Sequence, residues 1–414
     1  MTSEVVERFL RYAKIHTTSK EGVDKIPSTE RQFDLANILI SELKNLGLDD
    51  ASVDGHCIVT ATLKSSLSEE ETLQVPRLCF LAHMDTSPEE PGENVKPDVV
   101  KDYQGGDIVL PDGKTVIKTE DTPELSRFIG SDIITSDGTT LLGADNKAGI
   151  AAIMTAVSKL VTEKTKHGTV KIVFTPDEEV GNGVTALDVE ALGCDYGFTV
   201  DGDEMGVLEI ETFNAVDGSI TIKGFNTHPG YAKKNKMVNA IRIAKEVIDL
   251  FPFDQSPETT EKYGGYYHPY QLTGSVNEVE LKFILRDFDH DELKNKMAKI
   301  DRGIQEIQQR HPKADLMVDM KERYRNMKEI IDRVPHIVGY AEEAIKRAGI
   351  PVIRKPVRGG TDGARLSFRG LPSPNIFAGG MSFHSKKEFV PVIALEKSVE
   401  TIVNLVSIFV EKSL

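Results

Sequence analysis

The chain has 414 residues, 65 of them acidic and 50 basic, for a formal net charge of −15. That length accommodates two or three ordinary domains with a sizeable core, and 39% hydrophobic with 28% charged residues is the composition of a soluble globular protein. The negative balance excludes an electrostatic grip on nucleic acid; it either attracts a cationic group such as a free amino terminus or only keeps the chain in solution.

In chain order, Val5, Val6, Phe9, Leu10 and Ala13 recur at helical spacing. The opening segment MTSEVVERFLRYAK has mixed charge and no long apolar run, so neither a signal peptide nor a membrane span is expected. A second helix is expected after Pro27, with Thr29 and Gln32 spaced as a capping box and Gly47 beyond its apolar positions. Strand-like runs follow at 56–63 and 77–84, and the Pro-, Gly- and Asp-rich stretch 86–142 predicts long loops with short hairpins. A helix over 144–160 and buried strands at 170–176 and 196–201 complete an alternation that predicts a mainly parallel α/β sheet. Cys57, Cys79 and Cys194 form no CxxC pair, which argues against a disulfide framework and for a reducing compartment, the cytoplasm.

The pattern changes after about residue 212. Strand, helix, two strands, helix and strand succeed one another through residue 324, the β-α-β-β-α-β order of a ferredoxin-like α+β unit. The expected division is therefore 1–212 and 325–414 for one domain, with 213–324 inserted as a second. After the insert the α/β pattern resumes with a helix near 327–348, a strand at 351–357, a helix opened by GGTDGARLSF, the strand PNIFAG and a final helix from about 395.

Five residues suited to metal ligation stand in separate motifs. They are His83 in FLAHMDT, Asp145 in LLGADNKAG, Glu179 in FTPDEEVG, Asp201 in FTVDGDE and His384 in MSFHSKKEF. Singly, each has an ordinary structural reading: a strand-end histidine, an N-capping aspartate, an exposed acidic turn. Together, four of them lie at or just beyond strand ends, where open α/β sheets place their ligands. Two imidazoles and three carboxylates suit a pair of divalent ions of borderline softness, and the three acids with one hydroxide balance their charge. Asp85, two residues along from His83 and on the same face of the strand, can orient the imidazole. Glu178 and Glu179 repel unless one binds a cation while the other handles protons. Composition and periodicity alone thus reach a two-metal hydrolase.

These motifs resemble, as a set and nearly end to end, the M20 family of co-catalytic zinc peptidases. The carrying segments are HMDT, GADNKAG, PDEEVG, VDGDEMG, NTHPG, ILRDFD, VRGGTDGARLSFRGLPSPNIFAGG and FHSKKEFV. VDGDEMG and the last two segments are similar to its tripeptide aminopeptidases in particular. The resemblance implies two Zn2+ ions, with Co2+ or Mn2+ able to substitute. His83, Asp145 and Asp201 would hold one ion, and Asp145, Glu179 and His384 the other. Glu178 would be the general base and Asp85 the residue that orients His83. His228 would stabilise an oxyanion, from a closing lid or a partner subunit in a homodimer, while Arg286 and Arg358 would clamp the peptide carboxylate. A cis bond is implied after Asp145; Asn146 stands where the family more often has Asp. The rivals are a dipeptidase, carboxypeptidase or N-deacylase on the same scaffold, and an inactive binding protein that kept the fold.

Overall fold

In the computed structural model, which describes residues 3–414, the chain separates into two compact units. One comprises the residues up to Ile210 with Glu329–Lys355 and Arg365–Leu414; the other comprises Glu211–Lys328 with Pro356–Ala364. Among the described residues no helix is long and apolar enough to cross a membrane.

The first unit is built on an eight-stranded sheet. Its spatial order is Ser52–Val53, Val59–Leu63, Val170–Thr175, Leu78–His83, Tyr196–Gly202, Asn375–Phe377, Val207–Glu209 and Ile353–Arg354. The four central strands, from Val170–Thr175 to Asn375–Phe377, run parallel to one another. Antiparallel pairings enter outside them, at Val59–Leu63 and at Val207–Glu209. Every residue of Leu78–His83 is buried, as a strand covered on both faces must be, and burying a side chain such as Phe80 or Leu81 contributes about 2–3 kcal/mol. Within 86–142, Ile108–Val109 and Val116–Ile117 form a short hairpin as expected, while Asp98–Val100 pairs with the more distant Ile133–Thr135.

The helix Ala144–Thr162 is buried along nearly its whole length. It packs on Leu78–His83 and Tyr196–Gly202 on one side and on the helices Glu4–Ala13 and Val392–Ser413 on the other. Small residues permit this. A Cβ at Gly149 would stand 2.0 Å from the carbonyl oxygen of Val200, so glycine sets how closely the helix approaches the strand that bears Asp201.

Two local expectations fail. Thr29 and Gln32 form no capping box: the helix Gln32–Asn45 has Arg31 at its N-cap and no side-chain cap bond. The region 327–348 is not one helix. It divides into Lys328–Ile331 and Pro335–Arg347, because the residue before a proline is pushed out of the helical region, and Val334 has φ −131° and ψ 55°.

The second unit is a four-stranded antiparallel sheet in the order Tyr266–Gly274, Glu278–Asp287, Asn214–Lys223, Asp315–Tyr324. The helices Ala240–Ile248 and His290–Arg310 pack against it, which is the ferredoxin-like arrangement. Alternate residues Val279, Leu281, Phe283 and Leu285 face the helices. Along His290–Arg310 the buried positions Leu293, Lys296, Ile300, Ile304 and Ile307 make one helical stripe. Asp289 caps that helix by accepting the N–H groups of Asp291 and Glu292.

Candidate metal centre

Seven of the ten site residues named from the sequence belong to the first unit, and its central strands bring them together. His83 is the last residue of Leu78–His83 and Asp201 lies one residue from the end of Tyr196–Gly202. Glu178 and Glu179 follow Val170–Thr175, and Asp145 stands at the start of its helix. His384 precedes the short strand Phe389–Pro391 in a left-handed conformation, φ 58°.

Asp145 is common to two donor groups. His83, Asp145 and Asp201 offer atoms within 4.8 Å of one another, and so do Asp145, Glu179 and His384. Asp145 Oδ1 lies 2.8 Å from His83 Nε2, while its Oδ2 lies 3.4 Å from His384 Nε2. The two oxygens therefore face different imidazoles. Asp201 Oδ1 is 3.4 Å from His83 Nε2, and Glu179 Oε2 is 2.8 Å from His384 Nε2. Glu179 Oε1 is buried with no hydrogen-bond partner, a position that a bound cation would satisfy. The donor set and this orphaned oxygen fit two divalent ions.

The charges respond to this crowding. Burial disfavours the His83 imidazolium, yet the charge of Asp201 and hydrogen bonds to Asp145, Asp201 and Asp85 lift its pKa well above the usual histidine value. Hydrogen bonds to Asp145 and Glu179 push His384 up to about 11. Burial, followed by the charge of Asp145, raises Glu179 to about 8. Burial would raise Asp145 too, but its hydrogen bonds from His384 and His83 hold it far below the carboxylate range. Without cations, protons neutralise the cluster.

A layer of buried groups holds the ligands. His83 Nδ1 donates to Asp85, with Oδ1 at 3.2 Å and the carbonyl oxygen at 3.1 Å, which leaves Nε2 to ligate. The Asp85 carboxylate also accepts the backbone N–H of Glu178 (3.0 Å) and of Glu179 (3.2 Å). Asn375 Oδ1 accepts the N–H of Asp201 at 3.0 Å, and Asn375 Nδ2 donates to buried Glu209 at 2.5 Å. Glu388 accepts the N–H groups of Leu142, Gly143 and Asp145. Asn375, Glu209 and Glu388 were not foreseen from the sequence, and no local spacing marks them. The peptide bond Asp145–Asn146 is cis.

His228, Arg286 and Arg358 belong to the second unit. His228 is exposed, and its Nδ1 accepts the N–H of Gly230 at 3.1 Å. Arg286 Nη1 donates to the carbonyls of Val216 and Leu285. Arg358 Nη1 donates to those of Lys262 and Gly264, Nη2 donates to Thr260, and the guanidinium lies over the rings of Phe213 and Tyr266. Both arginines thus stitch their own unit together.

A carboxylate shared between two His- and acid-containing donor groups, at the carboxyl ends of parallel strands, defines a hydrolase of the two-metal class. The chain belongs to the peptidase family M20/M25/M40, whose model matches residues 136–408. It is 46% identical over 412 residues to peptidase T of Caldanaerobacter subterraneus subsp. tengcongensis, covering 99% of this chain and 100% of that one. Its fold is similar to the crystal structure of the aminopeptidase PepT from Bacillus cereus, with a TM-score of 0.77, 23% identity and coverage of 99% and 98%. It is also similar to a dinuclear metal-binding peptidase of the M20 family from Bacillus subtilis, with a TM-score of 0.65, 14% identity and 98% of each chain covered.

Proposed function

We propose that this chain is a metal-dependent aminopeptidase that releases the N-terminal residue of tripeptides. The carrying observation is Asp145, one oxygen toward His83 and the other toward His384, in a chain that matches a peptidase T over its whole length. His83, Asp145 and Asp201 would hold one Zn2+ and Asp145, Glu179 and His384 the other, with Co2+ or Mn2+ as substitutes. Bound there, two such ions supply Lewis acidity and lower the pKa of water.

Glu178 takes the proton of the attacking water and passes it to the leaving amine. Its backbone is fixed by Asp85, which also orients His83, so one buried acid aligns the base with a ligand. His228 donates to the developing oxyanion, and Arg286 and Arg358 bind the peptide carboxylate.

His228 and Arg286 lie toward opposite ends of the second unit's sheet. Arg286 pairs with Ala215, and His228 comes five residues after Lys223 at the far end of that strand. The eight steps from Ala215 to Lys223 span about 25 Å of strand, whereas an extended tripeptide spans about 10 Å. That separation along the strand favours a homodimer in which the second copy supplies His228 over closure of one copy's own lid. The unpaired cysteines support a reducing, cytoplasmic location.

The test is a panel of free and N-acylated di- and tripeptides. Free-amine tripeptides are the expected substrates, with activity abolished by chelation and restored by Zn2+. Preferential hydrolysis of N-acylated amino acids would overturn the reading.

A further inference from the structure

Glu388 lies four residues after His384 and is 1% exposed. Its Oε2 accepts the backbone N–H of Leu142 at 2.8 Å and of Gly143 at 2.7 Å, and its Oε1 accepts that of Asp145 at 2.9 Å. Leu142 and Gly143 precede the helix Ala144–Thr162 and Asp145 stands in its first turn, at the end where a helix favours an anion. Gly143, at φ 78°, turns the chain there. Asp145 departs from helical geometry, with φ −84° and ψ 103°, and its N–H is given to Glu388. Lys147, also 1% exposed, donates to the carbonyl of Ile15 at 2.5 Å; burial lowers its pKa to about 7, and the charge of Glu388 opposes that fall.

We infer that Glu388 is a positioning residue for the bridging aspartate. It grips the backbone on both sides of Ala144 and so holds the Asp145 carboxylate with one oxygen toward each donor group. Because Glu388 and His384 share one short segment, the same grip sets the spacing between the bridging oxygen and the second imidazole. This inference rests on the two-metal reading above. A side chain that tied down the backbone and nothing more would change the stability of the fold and leave the affinity and spectrum of bound ions alone.

The test compares the full chain with Glu388→Gln and Glu388→Asp, each titrated with Co2+ and followed by visible absorption and calorimetry. The unaltered chain is expected to bind two ions. Glu388→Gln, which places an amide N–H against backbone N–H groups, is expected to weaken binding by about 10- to 100-fold and to change the Co2+ spectrum. Glu388→Asp keeps the charge one methylene short and should fall between. If Glu388→Gln does not fold, Glu388→Asp carries the comparison, with weakened Co2+ binding and a changed spectrum as the supporting result. Two ions bound with unaltered affinity and spectrum in the folded variant would overturn the inference while leaving the two-metal reading intact. Failure of the unaltered chain to bind two ions would defeat that reading and this inference with it.

Discussion

Gln32 and Asp177 exchange two hydrogen bonds across 145 residues of sequence. Gln32 Nε2 donates to Asp177 Oδ1 at 2.6 Å, and the Asp177 N–H donates to Gln32 Oε1 at 3.2 Å. Ser28 adds its N–H and hydroxyl to the same carboxylate. Asp177 has φ 52° and immediately precedes Glu178 and Glu179, so this network fixes the turn that presents the proposed base and a proposed ligand.

Replacing Gln32 with Ala removes both bonds and leaves a fully buried acid with Ser28 as its remaining side-chain partner. The expected cost is about 1–3 kcal/mol of stability, accompanied by a fall in kcat as the turn loosens. Thermal unfolding and steady-state kinetics measure both. An unchanged Tm would show that the network contributes little.

Uptake of metal should release protons. His83 and His384 are raised by neighbouring acids and Glu179 by burial, so all three hold protons at neutral pH in the metal-free site. Ligation needs their deprotonated forms, so affinity should rise with pH. Calorimetry in buffers of different ionisation enthalpy, from about pH 6 to about pH 8.5, reads the released protons. A flat affinity with no proton release would contradict the charge assignment.

Gly149→Ala tests the close approach of helix and strand. In an open helix the change would stabilise by about 1 kcal/mol. Here the new Cβ meets the Val200 carbonyl at 2.0 Å and Asn146 Oδ1 at 2.4 Å, and overpacking of this kind costs about 1–3 kcal/mol or more. The strand bearing Asp201 and the turn bearing Asp145 must both yield, so a lower Tm and weaker metal binding are expected together. A variant more stable than the parent would contradict this packing account.

Substitution of Arg358 by Ala should lower stability as well as raise KM. Its donors hold the backbone at Lys262 and Gly264, and its guanidinium rests on Phe213 and Tyr266, so truncation removes packing along with charge. A change in KM at constant Tm would mean that binding the substrate is its whole role.

What could be read from the chain beforehand follows a physical divide. His83, Asp145, Glu179, Asp201 and His384 were legible because each sits in its own motif, most of them at strand ends with period-specific flanks. The strands of the second unit were legible because GSITIKGF and SVNEVELKF alternate, and alternation has one structural meaning. Gln32 was misread because a glutamine three residues after a threonine looks the same whether it caps a helix or bonds a distant aspartate. Glu388 stands beside two lysines in HSKKEF and reads as part of a solvated charge run; its partners at 142–145 are too remote in sequence for any local pattern to reveal. The break at Pro335 did carry a signal, since Val334 before a proline resists the helix.

The central claim is that Asp145 joins two cation sites. Crystals of the Zn2+-loaded chain, with anomalous scattering recorded at the zinc edge, test it most directly. The account predicts two peaks about 3.5–4 Å apart, both within bonding distance of Asp145, one also bound by His83 and Asp201 and the other by Glu179 and His384. A single peak, or two peaks that share no Asp145 oxygens, would contradict it.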